Sequence, residues 1–161
     1  MTARVTSKAR LAALAHKAAR SGNWMIRFAW KPSDLNAHEG FRWRPLGQWT
    51  EAPDWDPEPR CGGGLHGQGP GAGGYRHAAG PTLVFCETDG EQVAIDGDKI
   101  KVRRARRLLI DELPAGLSVG GSLDLRGCTG LPREWRRTWN RLADLPGPRG
   151  SERIPDPEVA P

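Results

Sequence analysis

Pro59-Arg60-Cys61-Gly62-Gly63-Gly64-Leu65-His66-Gly67, followed by a glycine-dense run over 68–81 and then Leu83-Val84-Phe85-Cys86-Glu87, decides how this chain is read. Glycines at 62, 63, 64, 67, 69, 71, 73 and 74 predict a loop whose backbone takes positive φ and lets neighbours come close. Such a loop has two physical uses: its free N–H groups cradle an anion, or its bare backbone lets a bulky side chain lie flat on it. No Gly-Lys-Ser/Thr follows, and no strand enters or helix leaves with dinucleotide-binding spacing, so a nucleotide site of either kind is not expected. The stretch reads as scaffolding between sheet strands, with no reaction centre inside it.

Working outward, Trp24-Met25-Ile26-Arg27-Phe28-Ala29-Trp30-Lys31 alternates, with Trp24, Ile26, Phe28 and Trp30 on one face and Arg27 and Lys31 on the other. It predicts a strand ended by Pro32. Downstream, 82–87 reads as a buried strand, 88–90 as a turn, 92–95 as a short strand and 96–98 as a second turn. Residues 99–110 form a long β-prone run with six cations: Lys99, Lys101, Arg103, Arg104, Arg106 and Arg107. Alternation sends Ile100 and Val102 one way and Lys99, Lys101 and Arg103 the other. Beyond Arg104 the pattern breaks, and a bulge near Ala105 would restore the register for Leu108 and Ile110. Those six cations are the candidate nucleic-acid-binding residues, as a phosphate-binding stripe. A Lys/Arg-rich strand also discourages edge-to-edge pairing, which is the alternative use of the same charges.

Residues 1–33 hold seven Lys or Arg (Arg4, Lys8, Arg10, Lys17, Arg20, Arg27 and Lys31) and no carboxylate. A helix is predicted through Ala9–Ala19, capped by Thr6 or Thr2 and stopped at Ser21-Gly22-Asn23, with Leu11, Leu14, Ala15 and Ala18 as its apolar stripe. A basic helix suits phosphate or an acidic surface; a solvated terminal helix is the plainer reading. The segment after Pro32 carries Trp43, Trp49 and Trp55 among prolines. Its carboxylates (Asp34, Glu39, Glu51, Asp54, Asp56 and Glu58) outnumber Arg42 and Arg44, so the rings are read as covering a small core rather than stacking bases.

Three cysteines, at 61, 86 and 128, cannot make a closed disulfide framework and fit a reducing compartment. Cys61, His66, His77 and Cys86 have the two-nitrogen, two-sulfur complement of tetrahedral zinc, although their spacing matches no tight paired-ligand pattern. The competing account is buried small hydrophobes and histidines hydrogen-bonded in a loop. Cys61 with His66 lacks an orienting third group for nucleophilic work, and Asp54, Asp56 and Glu58 read as a solvated acidic turn.

Three resemblances bear on the chain. Leu-Pro-Ala-Gly-Leu-Ser-Val-Gly-Gly-Ser-Leu-Asp-Leu-Arg-Gly-Cys-Thr-Gly-Leu-Pro, over 113–132, resembles one unit of the short leucine-rich repeats of phage and bacterial proteins. That implies a coil with Leu117, Val119, Leu123, Leu125 and Leu131 facing inward, and Cys128 structural at its turn. A single unit must pack on the preceding domain or on another chain. The order of aromatic strand, Trp/Pro-rich segment, Cys-Gly-x-Gly-Leu-His-Gly, apolar strand and Asp-x-Asp-Lys-Ile-Lys strand is similar to an uncharacterised phage and prophage domain with a Cys-x-x-Gly-Phe/Leu-His core, over about 24–110. That family implies no assigned activity. A more distant similarity is to ADP-ribosyltransferases, which would imply NAD clamped by Arg27, Tyr75 and Glu87 or Glu91. The Ser-Thr-Ser strand and Glu-x-Glu pair of that family are absent.

A chain of 161 residues with 37% hydrophobic and 27% charged residues suits one small soluble domain, and 21 glycines with 14 prolines predict a loop-rich fold. No apolar run is long enough to span a bilayer, and Lys8, Arg10, His16 and Lys17 interrupt any signal-peptide core. The expected fold is α+β. It comprises a basic N-terminal helix (1–22), a core with a small, mainly antiparallel sheet and the glycine-rich loop (23–112), one leucine-repeat unit with a capping helix at 132–145 carrying Trp135, Trp139 and Leu142 (113–145), and a disordered tail (146–161). The expected function is that of a small basic accessory binding protein of phage or mobile-element type, cytoplasmic and non-enzymatic. Its partner is a protein or nucleic acid, with no membrane and no cofactor; an ADP-ribosyltransferase-like enzyme is the alternative.

Overall fold

Ser7 begins the first helix because its hydroxyl can take an orphan amide: Oγ accepts from the Arg10 N–H at 3.3 Å. The cap therefore sits one residue beyond Thr6. The structure, a computed structural model, describes residues 7–29, 41–71, 82–97, 99–114 and 117. Helix α1 (Lys8–Ser21) ends at Gly22, which is left-handed (φ 75°) and donates its N–H to the Ala18 carbonyl. Leu11, Ala15, Ala18 and Ala19 are buried, and Leu14 is partly buried beside them. The stripe is thin, with Leu11 alone worth about 2 kcal/mol of burial and the alanines serving mainly to let the helix lie close.

Beneath α1 lies an antiparallel sheet of five strands among the described residues: β1 (Trp24–Ala29), β2 (Trp49–Glu51), β3 (Leu65–Gly67), β4 (Thr82–Ile95) and β5 (Lys99–Ile110). The order is β1-β4-β5-β2, with β3 also paired to β5. The α+β class with an N-terminal helix is thus correct. Alternation in β1 holds on one side: Trp24, Ile26 and Phe28 join Leu83, Phe85, Leu108 and Leu109 under the helix, and the Trp24 and Phe85 rings stack at 6.1 Å.

Three expectations are corrected. Residues 88–90 form no turn: β4 runs through them, and the register steps from Asp89↔Arg104 to Gln92↔Val102. One extra residue is accommodated there, at Gly90, whose φ of 83° is open only to residues without a Cβ penalty. The bulge in β5 falls at Leu108, not Ala105, since Phe85 faces Leu109 while Cys86 faces Arg107. It lets Leu108 and Leu109 both reach the helix-side core, and leaves Ala105 paired with Thr88 and Thr50.

The third correction concerns the glycine-rich stretch. Leu65–Gly67 is a strand against β5, and the next residue, Gln68, exchanges two backbone hydrogen bonds with Ile26 (2.7 and 3.0 Å). That bridge joins β3 back to β1, so β1, β4, β5 and β3 close into a ring around Met25, Leu65, Val84, Cys86, Ile100, Val102 and Ala105. Closure depends on bare backbone. A Cβ on Gly67 would stand 2.9 Å from the Ile26 carbonyl, and one on Gly69 2.4 Å from Ile100 Cδ1. The expected use of the glycines in letting bulky neighbours lie close is therefore met at these two positions.

The leucine-repeat unit (113–132), the capping helix (132–145) and the tail (146–161) lie outside the described residues except at 113, 114 and 117. Leu113 is buried in the helix-side core and Leu117 packs against it.

Candidate functional site

The six cations expected to form one stripe on β5 divide into two groups. Lys101 is fully buried, and its Nζ donates to the Arg60 and Gly62 carbonyls, both at 3.0 Å. Alternation alone would have left it in solvent. The 54–64 segment folds over it instead, held by Asp56, whose carboxylate accepts from the Glu58 N–H (3.0 Å) and from Arg60 (2.7 Å). Those two bonds hold the Asp56 carboxyl below its usual range. Arg107 is buried as well and gives Nε and Nη2 to the Arg44 carbonyl at 3.1 and 2.7 Å, so it anchors the 44–47 turn. Lys99, half-buried, places Nζ 3.3 Å from the exposed Cys61 thiol.

The other three face outward, each against a carboxylate. Arg103 pairs with Glu51 (3.0 Å), Arg104 with Asp89 (3.1 Å) and Arg106 with Glu87 (2.6 Å). Arg104 and Arg106 also lie over the Trp49 ring, at 4.6 and 4.5 Å from its centroid. This follows from register: β2 pairs with β5 so that Trp49 faces Arg106 and Glu51 faces Arg104. An indole is the best ring for a cation, and two guanidinium groups hold it in place.

Beside this stack is a hollow of about 390 Å³ lined by Phe41, Arg42, Arg44, Trp49, Thr50, Glu51 and Arg104. Thr50 is buried and positions the rim, its Oγ1 accepting from the Arg44 N–H at 2.9 Å. The Gly47 N–H donates to the Arg107 carbonyl at 2.8 Å, completing the clamp. Arg42 and Arg44 are exposed and have no carboxylate partner among the described residues. The hollow therefore offers two aromatic rings, a guanidinium stacked on one of them, and two arginines without an acidic partner among the described residues. A ring system bearing an anionic group is what such a surface can hold.

Inside the closed sheet the charges do other work. Arg27 is 5% exposed, donates to the His66 carbonyl and lies 5.2 Å from the centroid of the Trp43 ring. Burial brings its guanidinium down to about 10, still protonated at neutral pH. Cys86 is fully buried, and burial pushes its thiol up to about 12, against the pull of Arg27 and Arg107. A protonated thiol is a poor nucleophile. His66 is brought down to about 4, first by burial and then by Lys99, Arg27 and Lys101, with Asp54 opposing. Its imidazole is neutral at physiological pH.

Among the described residues no three of His, Cys, Asp and Glu gather as a metal site. Of the four zinc candidates, Cys61 meets Lys99, Cys86 is sealed inside the sheet, His66 lies on β3, and His77 is outside the described residues. The residues an NAD clamp would use are separated: Glu87 pairs across the sheet with Trp24 on the helix side and Arg27 points the opposite way. Glu91 is exposed, and Tyr75 is outside the described residues.

Sequence reasoning passed over Phe41, Arg42, Arg44 and Trp49, because local carboxylates outnumber local arginines there. The missing signal lies across the sheet, since the cations that complete the hollow come from β5 and only the β2–β5 register brings them together. Trp43 is buried and Trp55, half-buried, packs on the same core, as expected of core rings; Trp49, also half-buried, lies against Arg104 and Arg106 instead. No family model matches the chain, and no curated protein or solved structure matches it either. No helix among the described residues is long and apolar enough to cross a membrane.

Proposed function

We propose that this protein is a small, non-enzymatic nucleic-acid-binding protein of phage or mobile-element type, and that its contact surface is the hollow between the 41–44 segment, β2 and the second half of β5. The observation that supports this reading is the meeting of Phe41 and Trp49 with Arg42, Arg44 and Arg104 around one opening. A net charge of +5 draws a polyanion to the surface, and unpaired arginines beside rings give it a place to dock. The contact set is thereby shifted from the six β5 cations to Arg42, Arg44 and Arg104, because Lys101 and Arg107 are occupied by backbone carbonyls. The leucine-repeat coil with its capping helix remains part of the proposal; Leu113 and Leu117, packed on the helix-side core, support its docking against the sheet.

Salt is the test. With about two phosphate contacts, from Arg42 and Arg44, the log–log slope of affinity against salt is expected to be about −1.4 for a single strand, and Arg42→Gln should make it shallower by about 0.7. Affinity that ignores salt, or that is unchanged in an Arg42→Gln/Arg44→Gln double variant, would remove the reading.

A further inference from the structure

Resting on that reading, we infer that the ligand is an unpaired strand, with one base seated in the hollow against Phe41 and the Trp49–Arg104 stack while Arg42 and Arg44 take the flanking phosphates. The hollow is recessed and about 390 Å³, the size of a small-ligand site rather than of a groove that tracks a double helix. Two of the lining residues, Phe41 and Trp49, carry rings, which recognise the face of a base. In a duplex those faces are covered by their neighbours, so only an unstacked base can present one.

The polar lining agrees with this division. Arg104 is held by Asp89 at 3.1 Å and stacked on Trp49, so it is fixed as a platform and its charge is already balanced. Glu51 is likewise held by Arg103 at 3.0 Å, which offsets the one carboxylate that faces the opening. Arg42 and Arg44, in contrast, are exposed on a rim whose backbone is clamped by Thr50 and Arg107. Phosphate recognition is thus carried by the two exposed arginines, which have no carboxylate partner among the described residues, and base recognition by the fixed stack. Phe41 is the residue that separates the two kinds of ligand, since it adds ring area and no charge.

The test compares oligothymidylate of about 12 nucleotides with a duplex of the same length by fluorescence anisotropy, using wild type, Phe41→Leu and Arg42→Gln/Arg44→Gln. The expected result is about tenfold tighter binding of the strand than of the duplex, a preference that Phe41→Leu loses. Equal affinity for strand and duplex, both weakened in the double arginine variant, would overturn this inference and leave the general reading standing. Binding of neither would overturn both. Thymidine monophosphate competing at micromolar concentration would also overturn it, since the occupant would then be a free nucleotide. Independently of any variant's folding, an oligonucleotide carrying 5-iodouracil should photo-crosslink in the wild type to Phe41 or Trp49, and crosslinks confined to other segments would sink the proposal.

Discussion

Lys101 and Arg104 stand three residues apart on one strand and do opposite things. Lys101 lies at the end of β5 that β3 and the 54–64 segment cover, and its buried Nζ finds its partners in two carbonyls of that segment. Arg104 lies at the end that only the short β2 covers, and it is balanced by a carboxylate and an indole at the surface. Arg27 and Arg107 belong with the first group and Arg103 with the second, while Arg106, half-buried with Glu87, stands between them. A buried cation is worth more to the fold than to any ligand, because removing it strands the groups it served. An exposed pair contributes little to stability and leaves its surface free for recognition.

If that contrast is right, the largest loss comes from Lys101→Met, which keeps the side-chain volume but removes the donor to Arg60 and Gly62. About 3 kcal/mol should be lost in urea denaturation, whereas Arg103→Met should cost under about 1 kcal/mol. Equal costs would erase the distinction between the buried and the outward cations of β5. Closure of the ring is tested next by Gly67→Ala, whose methyl group meets the Ile26 carbonyl. The expected cost is about 2 kcal/mol. Gly71→Ala, with nothing within 4 Å of the added carbon, is expected to stay within about 0.5 kcal/mol.

The smallest effect is on pH dependence. Because His66 titrates near 4 in the fold and near 6.5 when unfolded, the unfolded chain takes up the proton first as pH falls. The stability this neutral histidine allows is fully present above pH 6.5 and is lost as pH falls toward 4. His66→Gln should therefore flatten that limb of a plot of melting temperature against pH. An unchanged limb would mean that burial, with Lys99, Arg27 and Lys101 beside it, does not hold the ring neutral in the fold.

Local pattern was enough for the elements that are locally determined. The helix, its stop at Gly22, the strand at Trp24, Ile26 and Phe28, and the turn at Asp96-Gly97 all follow from periodicity and turn chemistry. What failed was whatever depends on distant partners. Gly90 and Leu108 could not be assigned as bulges without knowing which residues face them. Leu65-His66-Gly67 reads as loop because its glycines outweigh its strand propensity, and it becomes a strand only because β5 and Ile26 offer hydrogen bonds on either side. The hollow was hidden for the same reason. Phe41 and Trp49 lie among acids in the sequence, and the arginine stacked on Trp49 in its lining arrives from more than fifty positions away.

The claim that the outward arginines and their rings, rather than the basic strand as a whole, form the working surface is tested most directly by amide chemical-shift mapping. With oligothymidylate added to the labelled full-length protein, the account predicts shifts centred on Phe41, Arg42, Arg44, Trp49, Thr50, Glu51 and Arg104, with Lys101 and the residues of α1 little changed. Shifts centred instead on α1 or on 99–101 would contradict it.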